Sequence, residues 1–210
     1  MDTKPQKTRQ RGRPPKQAET GIETRDLLLR AGLEALTEKG FTATGLDEIL
    51  RSVGVPKGSF YHYFKSKEAF GAELIENYGK YFERKLERHL TNQALSPLER
   101  LRAFINEAQA SMAKYKYQRG CLIGNLGQEM GALPESFRLL LNGVFADWQA
   151  HVARCLSEAQ TAGELSKSAD CNQLAAFFWI GWEGAVLRSK LERNPEALEI
   201  FTEGFFNNLS

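Results

Sequence analysis

Two sets of side chains in this sequence carry chemistry. The first is Lys57, Gly58, Ser59, Tyr61, His62 and Tyr63. One cation, one bare backbone position and a run of hydroxyl and imidazole groups are poor material for a core. They are well suited to meeting phosphate oxygens and base edges. The second is Cys121, in the stretch Arg119-Gly120-Cys121-Leu122-Ile123-Gly124. A lone cysteine commonly serves as a small buried hydrophobe. Beside a cation or a helix N-terminus it becomes a thiolate nucleophile. Arg119 and Lys190 are the candidate cations, and sequence alone leaves both readings of Cys121 open.

Other chemistries find little support. His62, His89 and His151 lie far apart and none joins a Cys/His cluster, so metal-ligand spacing is absent and no cofactor is expected. Hydrolytic or acyl-transfer catalysis by Cys121 needs a base held by a carboxylate, and no such partner for His151 or His89 is evident. An enzyme is therefore not expected. Cys155 and Cys171 read as structural. An odd count of three cysteines without close pairing argues against a disulfide scaffold and for a reducing cytoplasm.

The elements that must position these residues are helices. In residues 45–64, Leu46, Ile49, Leu50 and Val53 recur at helical spacing, Gly54 allows a turn, and Val55-Pro56 ends one helix and opens another. The pattern is two short helices joined tightly, with Lys57–Tyr63 on the second. It fits a helix-turn-helix, in which the first helix braces the second in the major groove. An ordinary helical hairpin with a solvated face has the same spacing. Residues 23–39 read as a preceding helix stopped by Gly40, and Thr44 reads as the N-cap of the next. Ser66-Lys67-Glu68 starts a long helix to about Leu90, with Phe70, Leu74, Tyr78, Phe82 and Leu86 on one face. Pro97 opens another.

In residues 119–134 four glycines interrupt a helical pattern, which points to a broken or bent helix against a pocket. A long helix from Glu135 to about Ala162 follows, closed by Gly163, and Asp170 and Pro195 open the last two. These two carry apolar residues on more than one side, so one face is left for a partner. Trp148, Trp179 and Trp182 are core residues by default. One or two of them are candidates to wall a ligand pocket, with Asn125, Gln128 and Glu183 as its polar contacts. No strand-like alternation occurs, and the fold class expected is all-α.

The wording of the helix-turn-helix stretch is specific. Gly45-Leu46-Asp47-Glu48-Ile49, then Val55-Pro56-Lys57-Gly58-Ser59-Phe60-Tyr61-His62-Tyr63-Phe64, then Lys65-Ser66-Lys67-Glu68 and Phe70, resembles the DNA-binding domain of the tetracycline-repressor family over residues 23–75 or so. That resemblance implies a homodimeric repressor on a pseudo-palindromic double-stranded operator, with a small-molecule inducer. It implies an N-terminal three-helix helix-turn-helix domain at 21–67 and a C-terminal helical ligand-binding and dimerisation domain at 68–210. Two helices from each subunit would form the dimer interface. Thr44 matches a position whose hydroxyl often meets a phosphate in the family, and Lys67 joins the DNA-binding set. Residues 120–130 and 179–184 resemble a subgroup that includes the acrylate-utilisation regulator. More loosely, 120–122 and 182–190 resemble the N-ethylmaleimide-reductase repressor, and the likeness fades after Leu122. The inducer implied is a small unsaturated acid such as acrylate, or a reactive electrophile. The alternative is a thiol sensor that works by covalent modification of Cys121.

Residues 1–20 are Lys, Arg, Gln, Pro and Gly with little apolar content, and read as a disordered arm. Arg11-Gly12-Arg13-Pro14 resembles an AT-hook core, in which an extended Arg-Gly-Arg enters a narrow, negative minor groove. A solubilising tail is the plainer reading. Residues 1–67 hold 13 Lys/Arg against 8 Asp/Glu, while 68–210 hold 15 against 18, so a basic front precedes a mildly acidic rear. That asymmetry suits nucleic-acid binding at one end, and an acidic or apolar outer surface at 45–64 would have pointed to a protein-interaction module instead. No run approaches the roughly 18–20 apolar residues of a membrane span. The N-terminus lacks the apolar run of a secretory signal.

Overall fold

The computed structural model describes residues 23–209, and Arg11, Arg13 and the expected arm lie outside the described residues. The described residues form nine helices and no strands. Helix α1 (Thr24–Lys39) ends because Gly40 adopts φ 83°, where side chains are strained. Helices α2 (Leu46–Ser52) and α3 (Lys57–Tyr63) meet across a turn in which Gly54 has φ 65° and Val55 N donates to Leu50 O at 3.0 Å. Pro56 is the N-cap of α3, so its missing N–H costs nothing there. Leu28, Leu36, Ile49, Leu50, Phe60, Phe64 and Phe70 are buried and hold these helices together. Phe60 packs edge-on against Phe70 with ring centroids 5.4 Å apart.

Helix α4 (Lys67–Leu90) starts on Ser66, whose Oγ accepts from Ala69 N at 3.0 Å, and runs from this head into the body. The body packs α4 with α5 (Pro97–Lys114), α7 (Glu135–Ala162), α8 (Cys171–Glu192) and α9 (Glu196–Asn207). Local signals set the ends of these helices. The Asp170 carboxylate accepts from Asn172 N and Gln173 N, both at 3.0 Å, and Gly163 closes α7 in the left-handed region. The glycine-interrupted segment becomes one short helix, α6 (Leu122–Gln128), wedged between α1, α4 and α7. After α5 the chain turns through two non-glycine residues with positive φ, Lys116 at 52° and Tyr117 at 55°. Neither residue type announces that turn in the sequence. Among the described residues no helix is long and apolar enough to cross a membrane.

Two expectations need correction. Gly45, not Thr44, is the N-cap of α2. Thr44 is fully buried and its hydroxyl donates to Gly40 O at 2.6 Å, so that hydroxyl is not available to a phosphate in this geometry. Lys67, expected in the DNA-binding set, is turned onto the loop after α1. Its Nζ donates to Phe41 O at 2.8 Å and sits 4.3 Å from the Phe41 ring centroid. Burial lowers its pKa, and the charge of Glu129 partly restores it.

Candidate functional site: an exposed polar helix and a cavity that touches its support

Helix α3 buries Phe60 and turns its remaining side chains outward. Tyr61 is 52% exposed, Lys57, Gly58, His62 and Tyr63 are exposed, and Ser59 is half-buried. A Cβ on Gly58 would meet nothing, which leaves the backbone open to close approach. Lys57 Nζ lies 3.3 Å from Asp47 Oδ1. The outer face of α3 is thus a compact array of donors and acceptors backed by one buried aromatic anchor.

The body holds a cavity of about 500 Å³, walled by α1, α4, α5, the start of α6 and α8. Its apolar lining includes Phe82, Met112, Trp182 and Val186, and its polar lining includes Tyr78, Lys85, Arg119, Cys121 and Glu183. Leu33, Glu34 and Thr37 of α1 form part of the wall, so an occupant would touch the first helix of the head. Lys85 is spoken for by Glu107, Nζ to Oε1 at 3.2 Å.

Cys121 is the N-cap residue of α6 and is buried. Neither expected cation serves it. Arg119 pairs with Glu34 and with Glu38, the latter at 3.0 Å, and its guanidinium lies 4.2 Å from the Tyr115 ring centroid. Lys190 Nζ donates to Thr37 O at 3.2 Å and Glu38 O at 2.8 Å. Burial first, and then the charge of Glu183, push the Cys121 thiol well above its usual range. Of the two readings left open for Cys121, this burial and the absence of a free cation beside it accord with the small buried thiol. The Tyr78 phenol beside it is likewise pushed up, by burial and by the charges of Cys121 and Glu183.

Other expected ligand residues are divided between the cavity and a joint. Trp182 lines the cavity. Trp148 and Trp179 pack on each other in the core with centroids 5.0 Å apart and ring planes tilted by 35°, and Trp148 borders a separate groove between α4 and α7. Asn125 does not face the cavity, because its Nδ2 donates to Leu36 O at 3.2 Å and Thr37 O at 2.8 Å. Gln128 is exposed and borders a crevice of about 30 Å³ shared with Asn125 and Lys190. Gly120 N adds a further bond to Thr37 O at 3.1 Å. Glu129, at the end of α6, accepts from Phe41 N at 2.9 Å and Thr42 N at 2.7 Å. The C-terminal end of α1 and the loop after it are therefore gripped by the α6 segment and Lys190. Sequence reasoning missed Glu129 as a joint residue, since nothing local marks it.

On the outer side of α8, Phe177, Ile180, Leu187 and Leu191 are exposed at helical spacing, Ile180 and Leu191 at 74% and 75%. Ile200 of α9 is exposed as well, and borders a groove with Gly181 and Gly184 of α8. Such a stripe on a surface helix is a surface that calls for a partner.

Comparison with known proteins agrees with this arrangement. Residues 28–74 match the family of bacterial regulatory proteins, tetR family, and residues 97–205 match the tetracyclin repressor-like C-terminal domain. The chain is 53% identical over 201 residues to the transcriptional regulator AcuR of Cereibacter sphaeroides, covering 96% of this chain and 91% of that protein. It is 31% identical over 180 residues to the HTH-type transcriptional repressor NemR of Escherichia coli, covering 86% and 90%. A solved regulatory protein TetR from Rhodobacter sphaeroides superposes with a TM-score of 0.87 at 53% identity, over 88% of this chain and 98% of that one. An exposed polar α3 on a three-helix head, a cavity against α1 and matches along both halves of the sequence lead to one conclusion: the chain belongs to the tetracycline-repressor family of DNA-binding transcriptional regulators.

Proposed function

We propose that this chain is a homodimeric cytoplasmic repressor that holds a pseudo-palindromic operator and releases it when a small unsaturated acid or electrophile occupies the cavity. The observation that carries the reading is the shared wall. The same α1 that supports the DNA-facing head lines a cavity in the body. An occupant that prefers a different placement of Leu33 and Thr37 would shift the head, because differential affinity for two states is what moves an equilibrium.

The DNA contacts come from Lys57, Gly58, Ser59, Tyr61, His62 and Tyr63 in the major groove. Arg11 and Arg13 supply phosphate and minor-groove contacts. The α8 and α9 stripe supplies the two-fold contact, which sets two α3 helices about one DNA turn, ~34 Å, or somewhat more apart. The class of inducer follows from the resemblance of 120–130 and 179–184 to the acrylate-utilisation subgroup. Cys121 is buried, its neighbouring cations are paired elsewhere and burial pushes its thiol up, which supports reversible occupancy over covalent capture. A mobility shift on the DNA upstream of the chain's own gene, repeated with acrylate, unsaturated aldehydes and quinones, tests it. A specific complex lost on adding a small acid supports the reading. A complex indifferent to all of these compounds defeats the inducer assignment.

A further inference from the structure

Two carboxylates stand on the cavity wall, Glu34 and Glu183. Glu34 is paired with Arg119. Glu183 Oε1 is buried and accepts no hydrogen bond. Its other oxygen lies against Gly124, where any Cβ would collide with the carboxylate. Gly124 thus admits an acidic side chain into a place where most residues would exclude it.

The groups that face Glu183 are Tyr78 from α4 and Cys121 from the start of α6. The cations around the cavity are committed elsewhere. Lys85 is held by Glu107, Arg119 by Glu34 and Glu38, and Lys190 by the carbonyls of Thr37 and Glu38. Arg30 of α1 and Lys114 of α5, which also border the cavity, are exposed to solvent. A buried carboxyl group with an unused oxygen and no cation beside it is costly unless protonated or satisfied by a ligand.

We propose that Glu183 is the recognition element for the inducer, and that it binds a small monocarboxylic acid by sharing one proton with the ligand's carboxylate. The proposal rests on the repressor reading above and names the chemistry of its site. The Glu183 O–H donates to a carboxylate oxygen of the ligand, and no covalent bond is made or broken. The hydrocarbon part lies against Phe82, Met112, Trp182 and Val186. Two carboxyl groups in contact cannot both ionise, so the pair holds one proton and titrates as a unit. Burial already raises Glu183 to about 7, so the donor form is present at neutral pH. Above that pH, binding must take a proton from solution.

The test is acrylate binding to the full chain by calorimetry between pH 6 and 8.5, in buffers of different ionisation heat. The expected dissociation constant is flat below about 7. It then rises by up to about tenfold per pH unit, with uptake of up to one proton. Glu183→Gln keeps an N–H donor but cannot titrate, so its dissociation constant is expected to be flat throughout. A flat profile in the native chain, or a slope that survives in Glu183→Gln, overturns proton sharing. If the native chain binds acrylate at a flat affinity and still releases DNA, only this inference fails. If acrylate neither binds nor releases DNA at any pH, the inducer reading fails with it.

Discussion

Lys190, near the end of α8, donates from Nζ to the backbone carbonyl of Glu38 at 2.8 Å. An ammonium group at the C-terminal end of α1 meets carbonyls that have no partner within the helix, and the helix dipole favours its charge there. The same end of α1 receives Asn125 and Gly120 N on Thr37 O. Since Lys190, Asn125 and Cys121 all border one small crevice, the body that holds the cavity and the helix-turn-helix head share a joint one layer from the cavity.

Lys190→Met keeps the stem and removes the donor. The expected outcome is inducer affinity within about twofold of native, together with a roughly tenfold smaller effect of inducer on operator affinity, against a usual coupling of ~1–3 kcal/mol. Fluorescence anisotropy with labelled operator, with and without acrylate, measures both. Full release in the variant would show that the joint does not transmit.

Phe60 and Tyr61 are neighbours with opposite duties. Phe60→Ala removes a fully buried ring and should cost about 3–5 kcal/mol of stability. Tyr61→Ala should change stability by no more than about 0.5 kcal/mol. It should weaken operator binding by about 1–3 kcal/mol. Urea denaturation and anisotropy on each variant separate the two. Equal stability loss in both would deny that Tyr61 points outward for DNA.

Thiol labelling of the native protein should be uneven. Cys171 is only half-buried, whereas Cys155 is buried with Sγ directed at Pro97 O at 3.1 Å. Burial pushes the Cys155 thiol to about 12, and Cys121 is also pushed up. Iodoacetamide near pH 7.5 should label Cys171 first and Cys121 only slowly, read by mass spectrometry. Preferential labelling of Cys121 would favour the thiol-sensor reading over reversible occupancy.

Glu107 should make the protein acid-sensitive. Burial pushes its carboxyl up, but hydrogen bonds from His89 and Lys85, the charge of Lys85 and a bond from Arg88 outweigh it and hold it at about 2, below the ordinary 4.5. A carboxyl depressed on folding stabilises above its unfolded pKa and loses that contribution as pH falls toward its folded one. The window here runs from 4.5 down to about 2. Glu107→Gln should melt below native protein at pH 6, and the gap should shrink at pH 3. A gap independent of pH would show that Glu107 contributes shape and not charge.

Much of the fold was legible because its signals are local. Gly40, Ser66, Gly163 and Asp170 mark helix ends within a turn of the residues they act on. The surface stripe of α8 was legible as an excess of apolar residues over what one buried face can use. The joint was not. Lys67 finds Phe41 26 residues away, Asn125 finds Thr37 88 away, and Lys190 finds Thr37 153 away. Each of these side chains reads in sequence as a free polar group, and only the packing of α6 and α8 on α1 assigns it. Thr44 misled for a related reason. A hydroxyl close before a helix looks like a cap, yet Thr44 stands one residue ahead of the cap and turns back onto Gly40.

The central claim is that cavity occupancy and operator binding oppose each other through one equilibrium. The most direct test measures operator affinity across acrylate concentrations, and acrylate affinity with and without operator. Operator affinity should fall to a plateau about 100-fold weaker, equivalent to about 2.7 kcal/mol of coupling, and acrylate should bind the DNA complex weaker by the same factor. An operator affinity that does not change with acrylate, or two factors that disagree at equilibrium, would contradict the account.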